Sequence, residues 1–465
     1  MSALCLRCVQ AAVAFAGAAA ILIIPLPLSC AATAPNPPPV QRRTLPSGLR
    51  VIVAEQAGAK LAAVDLRVRV GSGDETPSTN GTAHFLEHLV FKGTDTRKPG
   101  EIDQAVEALG GELTAQTTRD ATRFAAAFPA DKWQEALAII ADMTLHPALR
   151  PADVDSEKPV ILSEMAIART EPTRSGFNAL TAVAFDEKDP YRLPLMGTEA
   201  NVKAMTFEAL RDFCQEWYRP ENMTLVVTGD VRAADVFLEA ERLFPGTVPL
   251  ISARGTDSQK KPESVPALSG ARTTLSRAGS DNLTTVFIGF RAPSAADANA
   301  ATVAGLVSLL AERADGGNGS GKLREALVTR QRLALAVTAD YVAQRGESLV
   351  MISATGLRSN AAKMEAALRT ELKKLSSSEF TVNDAREARL NLLAAQYPDG
   401  SVGGDASRLA LADVLGISPE ETDDPALYAA RLSRVVTGEA LTAAASQYLS
   451  PERGAVVVLQ PQVTP

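Results

Sequence analysis

Cysteine is nearly missing from this 465-residue chain. It has four, and three of them, Cys5, Cys8 and Cys30, fall within the first thirty-one residues. Cys214 stands alone in the remainder, so once that leader is removed no intrachain disulfide can form and a cysteine-built metal site is excluded. A long chain can instead draw its stability from core size, and this one has the length for two or three domains. A strong charge of one sign is also lacking. The net charge of -7 is mild and both signs are interspersed, which leaves no electrostatic footprint for nucleic acid or an anionic membrane surface. Histidine is scarcer still, three in all, so any close pair of them is informative.

What is present begins with a leader. Arg7 is its only charge, an Ala-rich apolar run extends from Val9 to Leu28, and Pro25 and Pro27 break that run near its end. Ser29-Cys30-Ala31 supplies the small residues suited to cleavage after Ala31, so residues 1–31 read as a secretory signal and the mature chain as periplasmic. Two alternatives stay open: an uncleaved anchor, because the run approaches spanning length, and a lipoprotein acylated at Cys30. The lipobox is weak, since Pro27 stands where a lipid site wants Leu.

Beyond the leader, Leu49 to Ala54 and Val64 to Val70 alternate as strands, which predicts a half-buried antiparallel sheet. Helical periods follow over about 81–92, 101–109 and 131–145, with a strand-like stretch near 112–128, so the class is α+β. A segment rich in Ser, Pro, Lys and Gly, 248–270, reads as a linker between residues 40–247 and 271–463. The two parts end alike, in Tyr218-Arg219-Pro220-Glu221 before Met223 to Val227 and in Tyr448-Leu449-Ser450-Pro451-Glu452 before Ala455 to Val458. That likeness predicts two homologous domains, each a mostly antiparallel or mixed sheet packed against helices.

The chemistry concentrates at His84-Phe85-Leu86-Glu87-His88. Gly81 and Thr82 precede an apolar period of Phe85, Leu86, Leu89, Val90 and Phe91 that stops at Gly93, as a short helix would. Histidines four apart project from one face, with Glu87 beside them. Neutral imidazoles are what zinc takes, and a catalytic zinc keeps three protein ligands and one position for water, from which a nearby carboxylate such as Glu87 can accept a proton. The competing reading is a pair of core histidines satisfied by Glu87. His146, before Pro147, reads as a cap or loop residue. A third ligand must come from elsewhere, and the helical stretch 153–168 offers Glu157 and Glu164, seven apart and so on one face. A solvated acidic face is the alternative there, although Val160, Ile161, Leu162 and Met165 argue for partial burial.

The stretch from Gly81 to Thr94 resembles the signature of the pitrilysin/insulinase metallopeptidases, which include the mitochondrial processing peptidases. The likeness continues through Leu109-Gly110-Gly111-Glu112-Leu113, Ser163-Glu164-Met165 and Pro220 to Asp230, and in the paired halves. It implies an endopeptidase with one zinc per chain, held by His84, His88 and Glu164, with Glu87 as general base and Glu157 supporting the site. Pro159 lies between the two glutamates and is expected to disturb their phase. Thr114, Ala115 and Gln116 would belong to an edge strand on which an extended peptide pairs.

One departure bears on partners. Self-sufficient members of the family carry an Arg and, seven residues later, a Tyr in the second half. Here Val328 and Leu335 occupy those places, or Arg324 and Gln331 if the frame is shifted. The resemblance then implies a heterodimer whose homologous partner supplies the pair. The alternative is a non-catalytic peptide-binding or assembly protein of the same fold, against which the intact Glu87 weighs. Gly316 to Lys322 is close to a phosphate loop, but Leu323 stands where magnesium needs Ser or Thr, so no nucleotide is expected.

Overall fold

Two β-branched runs, Met223–Gly229 and Ala455–Pro461, lie at corresponding places in two separate sheets. The computed structural model describes residues 40–246, 270–277, 282–311, 321–397 and 401–461. The expected leader, nearly all of the expected linker and Gly316 to Ser320 lie outside those residues. In the first sheet β1 (Val40–Thr44), β2 (Arg50–Glu55), β3 (Leu61–Val68), β4 (Glu112–Thr117), β5 (Thr122–Pro129) and β6 (Met223–Gly229) are ordered β1-β2-β6-β3-β5-β4. In the second, β7 (Arg272–Arg277), β8 (Leu283–Ala292), β9 (Ala336–Val342), β10 (Ser348–Leu357) and β11 (Ala455–Pro461) are ordered β7-β11-β8-β10-β9. Each sheet has one parallel pair, β2 with β6 and β7 with β11, and is otherwise antiparallel, so both are mixed. The stretch read near 112–128 is the hairpin of β4 and β5, turned at Thr118 to Ala121.

The expectation of a half-buried sheet fails, for a reason that lies far along the chain. On β3, Asp65 and Arg67 alternate with apolar residues, as on a strand with one wet face, yet Asp65 is fully buried and Arg67 nearly so. The second half covers that face with a helix, Val402–Leu415, whose Ala406, Leu409 and Ala410 pack on Ile52, Ala54, Ala63 and Val226. The buried charges stay paired, as they must in a dry setting. Asp65 accepts hydrogen bonds from Arg67 at 3.0 Å and Arg123 at 2.6 Å, and Arg67 reaches the Ser407 carbonyl oxygen at 3.0 Å.

The exchange is reciprocal. A helix of the first half, Pro172–Ala184, lies on the second sheet, where its Leu180 and Ala184 join Phe287, Leu349, Met351 and Val457. Gly176 allows the approach, since a Cβ there would sit 2.2 Å from the Phe287 ring. Gly176→Ala is therefore expected to destabilise the protein by about 1–3 kcal/mol through overpacking, despite the better helix propensity of alanine. Thermal unfolding measures it, and an unchanged or raised midpoint would contradict the close packing.

Three elements position the chemistry. Helix α1 (Thr82–Leu89) continues as a 3-10 turn to Lys92 and stops at Gly93, whose φ is 108°. Helix α2 (Pro151–Thr170) runs through Pro159 without a break, and β4 forms an outer edge of the first sheet. In the second half, a π-helical turn, Glu325–Arg330, precedes β9; Val328 packs against the core there, while Leu335 is exposed. Lys322, from the glycine-rich segment, pairs with Asp384 at 2.7 Å instead of standing free for a phosphate. His146 caps the helix Trp133–Leu145, and Cys214 is buried and unpaired. Among the described residues no helix is long and apolar enough to cross a membrane.

Candidate metal centre

Helix α1 is fixed on its apolar side by Phe85, Leu86 and Leu89, all fully buried. At its N-terminus the Thr82 amide donates to the Thr79 carbonyl oxygen, and two of the backbone donors that no helix can satisfy internally are taken by Glu75. Its carboxylate accepts from the Ala83 amide at 2.7 Å, the Gly81 amide at 2.8 Å and the Asn80 side chain at 2.9 Å. Burial pushes the Glu75 carboxyl up to about 7 in spite of these bonds. Gly81, with φ 103°, lies where glycine is favoured, and a Cβ there would sit tightly at 3.0 Å from the Met196 carbonyl oxygen. Nothing in the sequence singled out Glu75, because its partners are backbone amides on the far side of a turn.

The polar side of α1 meets α2. His84 Nε2 lies 3.8 Å and His88 Nε2 3.2 Å from the same Glu164 oxygen, Oε2. One ligand atom from each of the three residues falls within 4.8 Å of the others. Glu157 approaches the opposite nitrogen of His88, Nδ1, at 2.9 Å, and also pairs with Lys92 at 2.5 Å. Pro159 thus leaves both glutamates on the helix face that meets α1, against the expected disturbance of their phase. Nor is that face solvated at Glu157, which is buried.

The electrostatics suit a cation. Burial holds His84 down to about 4, so its ring is neutral, as a metal ligand must be, and its Nδ1 is buried without a partner. At His88 burial also opposes a proton, but the hydrogen bonds to Glu157 and Glu164 outweigh it and raise the group to about 10, so a metal ion taking Nε2 would displace a proton from it. The two carboxylates hold positive charge at this point, and both fall below their usual range as a result, against the effect of burial. Two imidazoles and a carboxylate, with a further carboxylate fixing one ring, match the donor set and outer support of a hydrolytic zinc site.

Glu87, between the two histidines on α1, reaches β4. Thr117 Oγ1 donates to its Oε2 at 2.5 Å, and burial pushes the carboxyl above its ordinary value despite that bond. Thr114, Ala115 and Gln116 lie on β4 just before Thr117. Their strand pairs with β5 on one side only, and Thr114 and Gln116 are exposed.

Fold and cluster together define a two-sheet α+β protein with a metal-competent centre in its first half. The chain belongs to the insulinase family of peptidases: the family profile "Insulinase (Peptidase family M16)" matches residues 50–199, and "Peptidase M16 inactive domain" matches 204–392. An uncharacterized zinc protease of Mycobacterium leprae is 38% identical over 192 residues, 41% of this chain and 43% of that protein. A probable mitochondrial-processing peptidase subunit beta of Arabidopsis thaliana is 33% identical over 207 residues, 44% of this chain and 39% of that protein. The chain thus spans less than half the length of these relatives. Among solved structures, a protease from Helicobacter pylori superposes with a TM-score of 0.79 at 23% identity, covering 91% of this chain and 100% of that one, which shows a shared fold.

Proposed function

We propose that this chain is the metal-holding subunit of a zinc-dependent endopeptidase that cuts peptides or unfolded proteins in the periplasm. The observation that carries the reading is the convergence of His84, His88 and Glu164 within 4.8 Å, with Glu87 beside them and an open sheet edge adjoining. His84, His88 and Glu164 would hold one zinc ion, which when bound supplies a Lewis acid that polarises a peptide carbonyl and acidifies water. The edge of β4 around Thr114, Ala115 and Gln116 binds an extended backbone by strand addition, which favours unfolded substrates. Glu87, its carboxyl raised by burial, accepts the proton of the attacking water and returns it to the leaving amine. Glu157 fixes the orientation of His88.

Catalysis is completed by a homologous partner that supplies an Arg and a Tyr. Val328 packs against the second core and Leu335 offers no polar group, and in the shifted frame Arg324 has Gln331 where the Tyr would stand, so in neither frame does this chain bring the pair. One of the relatives is itself named as a subunit. The test is to purify the chain alone and with a co-expressed homologue that has the Arg/Tyr pair and lacks the histidine motif. About one zinc per chain is expected, with hydrolysis of an unstructured peptide only by the pair, lost on chelation and restored by zinc. Equal rates for the chain alone would end the shared-site reading. Full zinc with no hydrolysis by the pair would favour a peptide-binding or assembly protein.

A further inference from the structure

We propose that Thr117 is a positioning residue for Glu87, and that it ties the base to the strand on which substrate would lie. The proposal rests on the peptidase reading above and deepens it. Thr117 is the last residue of β4 and is buried, at 3% exposure, whereas Thr114 and Gln116 before it are exposed. Its hydroxyl makes the one side-chain hydrogen bond to Glu87 among the described residues, at 2.5 Å. A glutamate left to itself at a helix surface samples several rotamers. A donor held on a buried strand residue selects a single one.

That strand residue is anchored in turn. Thr117 pairs in register with Thr122, whose hydroxyl donates to the Val70 carbonyl oxygen at 3.0 Å. Immediately after it the hairpin turn is clamped, with the Thr118 amide on the Ala121 carbonyl oxygen at 2.8 Å and the Ala121 amide on Thr118 Oγ1 at 3.1 Å. The end of β4 that holds Glu87 is therefore rigid, while residues 112–116 carry the open edge. A peptide seated on that edge takes its register from the same strand that aims the carboxylate. Binding and proton transfer share one frame of reference, which is what a near-attack geometry requires.

Thr117→Val keeps the side-chain shape and removes the donor. In the partnered, zinc-loaded protein, kcat is expected to fall about 10- to 100-fold with KM within about twofold and zinc content unchanged. Thr117→Ser should restore kcat to within about threefold of the parent, since it returns the hydroxyl. In a Glu87→Gln background, Thr117→Val should cost nothing further, because its effect passes through Glu87. A readout independent of partner and metal is the infrared carboxyl band of Glu87 in the isolated chain, assigned by its loss in Glu87→Gln. It should shift in Thr117→Val and return in Thr117→Ser. An unmoved band, parental kcat in Thr117→Val, or serine no better than valine overturns the positioning role and leaves the peptidase reading standing. An inactive parental complex overturns that reading, and the infrared band then decides for Thr117 on its own.

Discussion

Glu87→Gln is expected to slow peptide hydrolysis by the partnered protein roughly 10²- to 10⁴-fold while zinc content and thermal stability stay at the parental level. The substitution changes little but basicity. The amide is nearly isosteric, its oxygen can still accept the Thr117 hydroxyl, and His84, His88 and Glu164 are untouched. What disappears is the group able to take a proton and give it back, placed where burial raises its affinity for one. Peptide turnover followed alongside metal analysis separates the outcomes. Zinc lost together with activity would give Glu87 a structural role, and activity within a few-fold of the parent would remove the general base from the mechanism.

Arg345→Ala should produce the largest change in stability, a loss of about 3 kcal/mol, toward the lower end of what breaking a buried ion pair costs because Arg345 keeps 19% of its side chain exposed. Arg345 lies between β9 and β10 and reaches into the first half, to Asp74 at 2.7 Å and Asp120 at 3.5 Å. Its own amide donates to Asp120, which also accepts from the Tyr191 hydroxyl at 2.5 Å. Burial already pushes the Asp74 carboxyl up, and Arg345 is the charge that pulls it back. Alanine would remove the one cation that pairs with both enclosed carboxylates, leaving Asp74 and Asp120 only the more distant charges of Arg69 and Arg119. Denaturant unfolding of Arg345→Ala, and of the same change combined with Asp74→Asn and Asp120→Asn, separates charge from packing. The triple variant should recover part of the loss. If it recovers none, or if Arg345→Ala alone costs less than about 1 kcal/mol, solvent has access that the geometry denies.

The residues that were legible in sequence share one property, which is that their partners are local. His84, Glu87 and His88 could be placed together because a helical turn places them, and β6 and β11 because β-branched runs after a Pro-Glu turn have few alternatives. Glu164 and Glu157 were legible as a face of one helix. That both reach His88, from its two ring nitrogens, required the crossing of α1 and α2, which no spacing encodes. Asp65 and Arg67 misled because alternation on a strand reports polarity, and the helix that seals their face comes some 340 positions later. Glu75 and Arg345 gave no signal at all, and Thr117 was legible only as the end of a strand. Each is an ordinary polar residue whose importance is conferred by a backbone or carboxylate brought to it from another element.

The exchanged helices also bear on how the chain acquires its structure as it is made. Every strand of the first sheet has been synthesised by Gly229, yet one face of that sheet stays uncovered until Val402–Leu415 has followed. The main core of the first half is built from its own residues, Leu45 to Phe244, but the opposite face, with Ile52, Ala54, Ala63, Val226 and the Asp65 and Arg67 charges, must wait for almost all of the second. A half without the histidine motif is on this view no passenger, because it seals the second face of the sheet that carries the metal-bearing half.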